Sequence, residues 1–486
     1  IARMLLREVG VDRIEVAQTR VSQGERQAAR RICSWARKAH LLSRIEIMGY
    51  CDGSASAEWI TGVGGKVMNL LLKGSERHCR GQLGMSPESH RARVRETLQA
   101  ARRKRLRANV YLEDWSNGVR ESFDYVFAMV QELRTLRVDR IYLADTLGIL
   151  SPADVTRYVG LMTATWPDIH FEFHAHNDYG LAAANVLAAV HAGARGVHTS
   201  VNGMGERAGN TRLAEAVTVL HDQSPYRTGV DENRLAGASR MVETFSGKAV
   251  APNSPLVGRD VFTQTGGIHA DGDAKGDLYA NPLAPERFGR KRRYALGKLS
   301  GKASLDQNLR ALGIELAPES RQLVLQRIVE LGDKKHTVVP ADLPYIIADV
   351  LKTPTRQRVY IESYEVVVSS GSQPRAEVSV RVGRRRSKAG ATGDGGYDAL
   401  MNAIKKAVRS FSIEVPRLVD FRVRIPPGGR TGALVETLIT WKGGRGHQAN
   451  FSTLGVDTDQ MAAAVVATER MLDAVAARRS GAGSGR

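Results

Sequence analysis

The residues with the clearest capacity for chemistry lie in the stretch 169–210, IHFEFHAHNDYGLAAANVLAAVHAGARGVHTSVNGMGERAGN. An apolar, β-type run ends in His174-Ala175-His176, and in a strand residues i and i+2 project to the same side. Two imidazoles therefore converge on one point, an arrangement that suits a divalent transition metal completed by a carboxylate or water. After Asp178 the period becomes helical over 182–192, and a second β run at 196–201 leads into Asn202-Gly203. This is a βαβ unit, and in parallel α/β folds ligands sit at the carboxyl ends of strands. His174, His176 and Asn202 fall at such ends.

The elements that must position these residues repeat along the chain. Apolar β-rich runs occur at 13–17, 44–50, 67–72, 108–113, 140–144, 169–174 and 196–201, with helical patterns at 25–39, 87–103 and 120–136 between them. Alternation of this kind predicts a parallel sheet. A closed (β/α)8 barrel needs eight strands, and residues 1–9 read as an amphipathic helical fragment. Residues 1–224 are therefore expected to form a TIM barrel, an α/β fold, with its first strand missing. A connecting region follows over 225–355. Its polar loop 263–273, with Tyr279 and Arg287 close behind, has the character of a functional loop.

From residue 358 the pattern is β-rich. Runs at 359–369 and 375–382, a helix at 397–411, further runs at 418–425, 433–441 and 447–454 and a closing helix at 459–478 predict two ββα halves. They make a C-terminal α+β domain over 356–478 with internal two-fold symmetry. The glycine-rich segments 393–396 and 426–429 lack a following Lys-Ser/Thr and read as turns rather than phosphate cradles. The tail 479–486 is expected to be disordered.

Composition narrows the class. A hydrophobic content of 42% and a charged content of 25% are those of a globular enzyme, and no apolar run is long enough to span a bilayer. Cys33, Cys51 and Cys79 form no CxxC, which argues against a zinc ribbon or a disulfide framework and fits a reducing cytoplasm. The net charge of +19 includes the basic runs 102–105 and 384–386. Neither is interleaved with aromatics that could stack on bases, so no nucleic-acid partner is expected. A positive field of this size suits a polyanionic cosubstrate such as an acyl coenzyme A.

The segments HAHNDYGLAAAN, NGMGERAGN and GGIHADGD, with the glycine-rich C-terminal domain, resemble the acyl-CoA-dependent 2-oxoacid condensing enzymes. That group includes the 2-isopropylmalate, homocitrate and citramalate synthases. Within it, YLEDWSNG at 111–118, YLADTLGILSP at 142–152, the run 276–304 and IPPGGRTGALVET at 425–437 look most like bacterial (R)-citramalate synthases. The resemblance implies a barrel holding a divalent metal (manganese, zinc or magnesium) and acetyl-CoA as cosubstrate. The implied reaction is a Claisen condensation of pyruvate with acetyl-CoA followed by thioester hydrolysis. It further implies a homodimer and a C-terminal domain that binds isoleucine as effector.

Residue by residue, the resemblance makes His174 and His176 metal ligands with Asn210 supporting the coordination sphere. Thr146 would hold the oxoacid carboxylate, Glu113 would lie beside the reacting atoms, and Tyr111 would face the same space. His269 and Tyr279 would serve proton transfer from the neighbouring subunit. The oxoacid pocket would be walled by Met48, Leu71 and Tyr111, with Tyr50 nearby. These groups are bulky, which suits the methyl of pyruvate. Two further substrate carbons would gain only about 1.6 kcal/mol by burial, so a larger oxoacid would be rejected by overlap. Three departures stand out: the family's Arg-Asp pair at the end of a first strand is not found, methionine stands at 48 where leucine is common, and glycine stands at 432 where aspartate is expected. The alternatives are a 2-isopropylmalate synthase and a non-catalytic amino-acid-binding paralogue.

Overall fold

The alternation of strand and helix produces one parallel sheet, β1 (Ile14–Gln18), β2 (Ile45–Tyr50), β3 (Val67–Lys73), β4 (Arg107–Glu113), β5 (Arg140–Asp145), β6 (Phe171–Ala175) and β7 (Gly196–His198), hydrogen-bonded in that order. The computed structural model describes residues 1–276, 278–333, 338–351, 358–424, 435–442 and 450–481. The described chain divides into two units, one of residues 1–262 with 281–292 and one of 263–280 with 293–486.

In the first unit the two faces of every strand are chemically distinct, as a barrel wall requires. Outward positions such as Ile45, Ile47, Leu70, Val110, Leu112, Ile141, Leu143, Phe171 and Phe173 are buried against helix residues including Ala29, Cys33, Val94, Leu98, Met129 and Val159. Inward positions are polar at the strand starts. Glu46 receives Arg140 Nη1 at 2.6 Å, Asn69 Nδ2 at 3.0 Å and the Tyr142 hydroxyl at 3.0 Å, while Asn109 donates to Asn69 at 2.7 Å. Arg13 pairs with Glu46 at 3.2 Å and also with Glu172. β1 and β7 are not neighbours in the ladder, and a cavity of about 850 Å³ is lined by Ile14 and Glu15 of the one and Val197 and His198 of the other. The fold is an α/β TIM-barrel type with seven parallel strands.

Helix ends follow local chemistry. Ser22, Ser75, Ser86 and Ser151 each accept a backbone N–H of the first turn, and Ser151 with Asp154 forms a complete capping box. The helical pattern at 120–136 resolves into two helices, Trp115–Glu121 and Phe123–Thr135. The last barrel strand is shorter than its apolar run, because Val201–Gly203 turns into a 3-10 helix with Asn202 at φ 58°.

The second unit begins with β8 (Thr263–Gln264), which pairs in parallel with β9 (Arg293–Tyr294), and the helix Gly267–Ala274. Helices Lys302–Leu312, Pro318–Asp333 and Leu343–Leu351 pack around Leu305, Leu309, Val324, Ile328 and Leu343. The remainder holds two antiparallel sheets, β10 (Val359–Val367), β11 (Arg375–Val382) and β12 (Arg385–Thr392), then β13 (Leu418–Arg424), β14 (Val435–Trp441) and β15 (Phe451–Asp457). Each sheet is followed by a helix, Gly396–Arg409 and Gln460–Gly481.

Each half is thus βββα rather than ββα. The third strand of the first half, β12, is missing from the sequence reading because its RRSKAGAT carries charges and small residues instead of branched or aromatic ones. It is recruited by full pairing with β11. The expected run 447–454 is replaced by β15, and residues 447–449 lie outside the described residues. So do the turn 426–429, Gly432, most of the motif at 425–437 and the tail from 482 onward. Among the described residues, no helix is long and apolar enough to cross a membrane.

Candidate active site

The inward positions of the barrel form layers, and the expected site residues occupy the upper ones. Ladder register sets Leu71 of β3 opposite Tyr111 of β4, and Tyr111 opposite Tyr142 of β5. Met48 of β2 is on the adjoining strand beside Asn69. Tyr111 is buried, its ring stacked on Tyr142 with centroids 4.1 Å apart and planes 13° apart. Burial, reinforced by the negative Glu15, holds its phenol well above the ordinary range, so it remains protonated. On β6, His174 is the register partner of His198 on β7, and the two Nδ1 atoms are 2.9 Å apart.

At the mouth, Glu113 ends β4 and forms an ion pair with Lys73, its register partner at the end of β3. The next residue, Asp114, takes the left-handed conformation at φ 63°, which costs energy for a residue with a β-carbon. Its carboxylate accepts from Ser75 Oγ at 2.7 Å and Asn117 Nδ2 at 2.8 Å, and its N–H donates to Thr146 Oγ1 at 2.8 Å. These contacts hold the turn. Thr146 retains its own hydroxyl hydrogen for a ligand.

His176 lies just beyond β6, bridged by backbone pairing to Asn210. The NGMGERAGN loop makes this approach possible. Gly209 sits at φ 86°, and a β-carbon there would be 2.0 Å from the Gly203 carbonyl. Arg207 locks the arrangement by donating to Asp178 at 2.8 and 3.0 Å and to the Thr146 carbonyl at 2.8 Å. His174 and His176 are both held below the ordinary imidazole range, His174 by burial with His198 and His176 adding, His176 by burial and the charge of Arg207. Both are therefore neutral, the form that donates a lone pair to a cation.

The donors fit a divalent metal. His176 Nδ1 and Asn210 Oδ1 are buried polar atoms with no hydrogen-bond partner, and such atoms are costly unless something pairs with them. Among the described residues no group of three or more His, Cys, Asp or Glu side chains is gathered as a metal cluster, so the available set is two imidazoles and an amide oxygen.

His269 and Tyr279 belong to the second unit. His269 lies in the helix Gly267–Ala274, and the two rings are tilted together with centroids 4.4 Å apart. The structure thus gathers Met48, Leu71, Tyr111, Glu113, Thr146, His174, His176 and Asn210 in one unit and His269 with Tyr279 in the other. Lys73, Asp114 and His198 escaped the sequence reading. Of these, only Lys73 carried a signal, as a lysine at an apolar strand's end.

Comparison with known proteins places this geometry. Residues 1–242 match the HMGL-like family, residues 256–336 the homocitrate synthase post-HMGL domain-like family, and residues 337–476 the LeuA allosteric (dimerisation) domain. A Methanopyrus kandleri protein provisionally named (R)-citramalate synthase is 34% identical over 426 residues, 87% of this chain and 82% of that one. A protein of Archaeoglobus fulgidus with the same provisional name is 32% identical over 90% of this chain and 87% of its own. A second M. kandleri protein, provisionally named 2-isopropylmalate synthase, is 32% identical over 98% of this chain and 93% of its own. At this identity and coverage, the chain belongs to the HMGL-like family of acyl-CoA-dependent 2-oxoacid condensing synthases, enzymes that turn an acyl group into an alkyl group as they transfer it.

Proposed function

We propose that the chain condenses acetyl-CoA with pyruvate and hydrolyses the thioester, yielding (R)-citramalate and CoA. One observation carries the choice of oxoacid: Leu71 faces Tyr111, and Tyr111 is pinned against Tyr142 at 4.1 Å. In this reading Met48, Leu71 and Tyr111 wall the pocket for the oxoacid side chain, and a branched side chain would overlap them. The identity of relatives named for citramalate synthesis supports the same reading. The coverage of the 2-isopropylmalate synthase relative favours a second reading, with 2-oxoisovalerate as oxoacid.

In this reading His174, His176 and Asn210 hold a divalent metal, which when bound polarises the ketone of the oxoacid. Thr146 donates its hydroxyl to the oxoacid carboxylate. Glu113, fixed by Lys73, stands beside the reacting carbon. His269, supported by Tyr279, removes a proton from the acetyl methyl group, a task suited to imidazole. The methyl carbon then forms a bond to the ketone carbon, whose oxygen takes up a proton, and water cleaves the thioester to release CoA. The dimerisation domain matched at 337–476 supports a homodimer, and in this reading the connecting segment of one subunit supplies His269 to its partner. Functionally the chain divides into a catalytic part (1–224), a connecting part (225–355) and a regulatory part (356–478) that binds isoleucine.

The test offers the purified protein acetyl-CoA with each oxoacid and measures release of free thiol. Faster turnover with pyruvate is expected, and faster turnover with 2-oxoisovalerate would overturn the pyruvate assignment.

A further inference from the structure

One barrel side chain has no part in the mechanism above, yet it touches two residues that do. His198 of β7 has its Nδ1 2.9 Å from Nδ1 of His174. The Tyr111 hydroxyl lies against the same ring, 3.2 and 3.3 Å from its two nitrogens. Tyr111, Tyr142 and His174 surround that ring, with centroids at 5.6, 5.8 and 5.0 Å. Its orientation is therefore set by packing on several sides.

The contact has a consequence for tautomers. A neutral imidazole carries one N–H and one lone pair, so two Nδ1 atoms at this distance share a single proton. If His198 supplied it, His174 would carry its own proton on Nε2 and could not coordinate through that atom. If His174 supplies it, Nε2 keeps its lone pair. We propose that His198 is a positioning residue that accepts the Nδ1 proton of His174 and so fixes the tautomer and ring plane in which His174 Nε2 can bind a divalent cation. Ligating histidines commonly donate their second ring N–H to a carboxylate, carbonyl or water. Here a second histidine takes that place, and through Tyr111 it joins the metal ligand to the wall of the oxoacid pocket.

The inference rests on His174 being a metal ligand, and its test does not depend on turnover. Metal-stripped full chain is titrated with Mn²⁺ by calorimetry, and melting curves are recorded without metal. His198→Ala is expected to weaken Mn²⁺ binding about 10- to 100-fold. His198→Asn, whose amide oxygen lies near the former Nδ1, should restore most of the lost affinity. A residue that merely filled space would lower the melting temperature and leave Mn²⁺ affinity unchanged. Unchanged affinity in His198→Ala, or His198→Asn no better than alanine, would therefore overturn the proposal. Should His198→Ala fail to fold, His198→Leu, which fills the site and accepts no proton, is held to the same outcomes. If the unsubstituted chain binds no Mn²⁺, the metal reading falls and this inference with it, whereas equal binding by both proteins removes only the role of His198.

Discussion

His90 is kept neutral by its surroundings. It is fully buried, its Nδ1 lies 2.7 Å from the Tyr125 hydroxyl, and its Nε2 has no partner. Burial first, then the positive charges of Lys73 and Arg91, lowers it from 6.5 to about 4. Between those values the unfolded chain binds a proton that the folded chain refuses, so stability is complete above about 6.5 and declines as pH falls towards 4. The loss from this residue is on the order of 3 kcal/mol. Urea midpoints measured across that window should fall, and His90→Gln should flatten the dependence; an equally steep fall in the variant would contradict the assignment. Legibility at this scale was uneven for a related reason. His174 and His176 could be paired from spacing alone, because a strand fixes where i and i+2 point. His198 and Lys73 meet partners 24 and 40 positions away, and no local pattern records a contact made by ladder register.

Strands β2, β5 and β6 are tied at their starts by charge as well as by backbone. Glu46 is buried and accepts from Arg140, Asn69 and Tyr142 while facing Arg13. Burial alone would raise the Glu172 carboxyl, but His170 at 3.1 Å and the charges of Arg13 and Arg140 bring it below the ordinary value. Removing one member of such a network leaves buried charge uncompensated. Glu46→Ala should cost about 3–5 kcal/mol of stability, read as a lowered urea midpoint with an unchanged slope; a midpoint within experimental error of the parent's would show the network to be dispensable. The barrel strands were legible because their outer faces are continuous branched and aromatic residues. β12 was not, since Arg385, Arg386 and Lys388 alternate with Ser387, Ala389 and Ala391 and its place is decided by β11.

The whole chain carries +19 charges, and the coenzyme proposed for it is a polyanion. Electrostatic attraction of this kind is screened by salt. Raising ionic strength from about 0.05 to 0.5 M should lower kcat/KM for acetyl-CoA more than for pyruvate; equal sensitivity would remove the charge from any part in coenzyme capture. The shift in pattern near residue 358 marks the start of the two βββα halves, whereas the two compact units divide at 262/263 and 292/293, inside the connecting region expected over 225–355. The barrel's own layering carries a further implication. Its floor is bound into ion pairs, its mouth holds the polar groups, and Met48, Leu71 and Tyr111 stand between. Shape at the middle level can drift while the floor keeps the strands in register and the mouth keeps its chemistry. With the pocket proposed above, trading a few wall residues would exchange one oxoacid for another and leave both the floor and the mouth as they are.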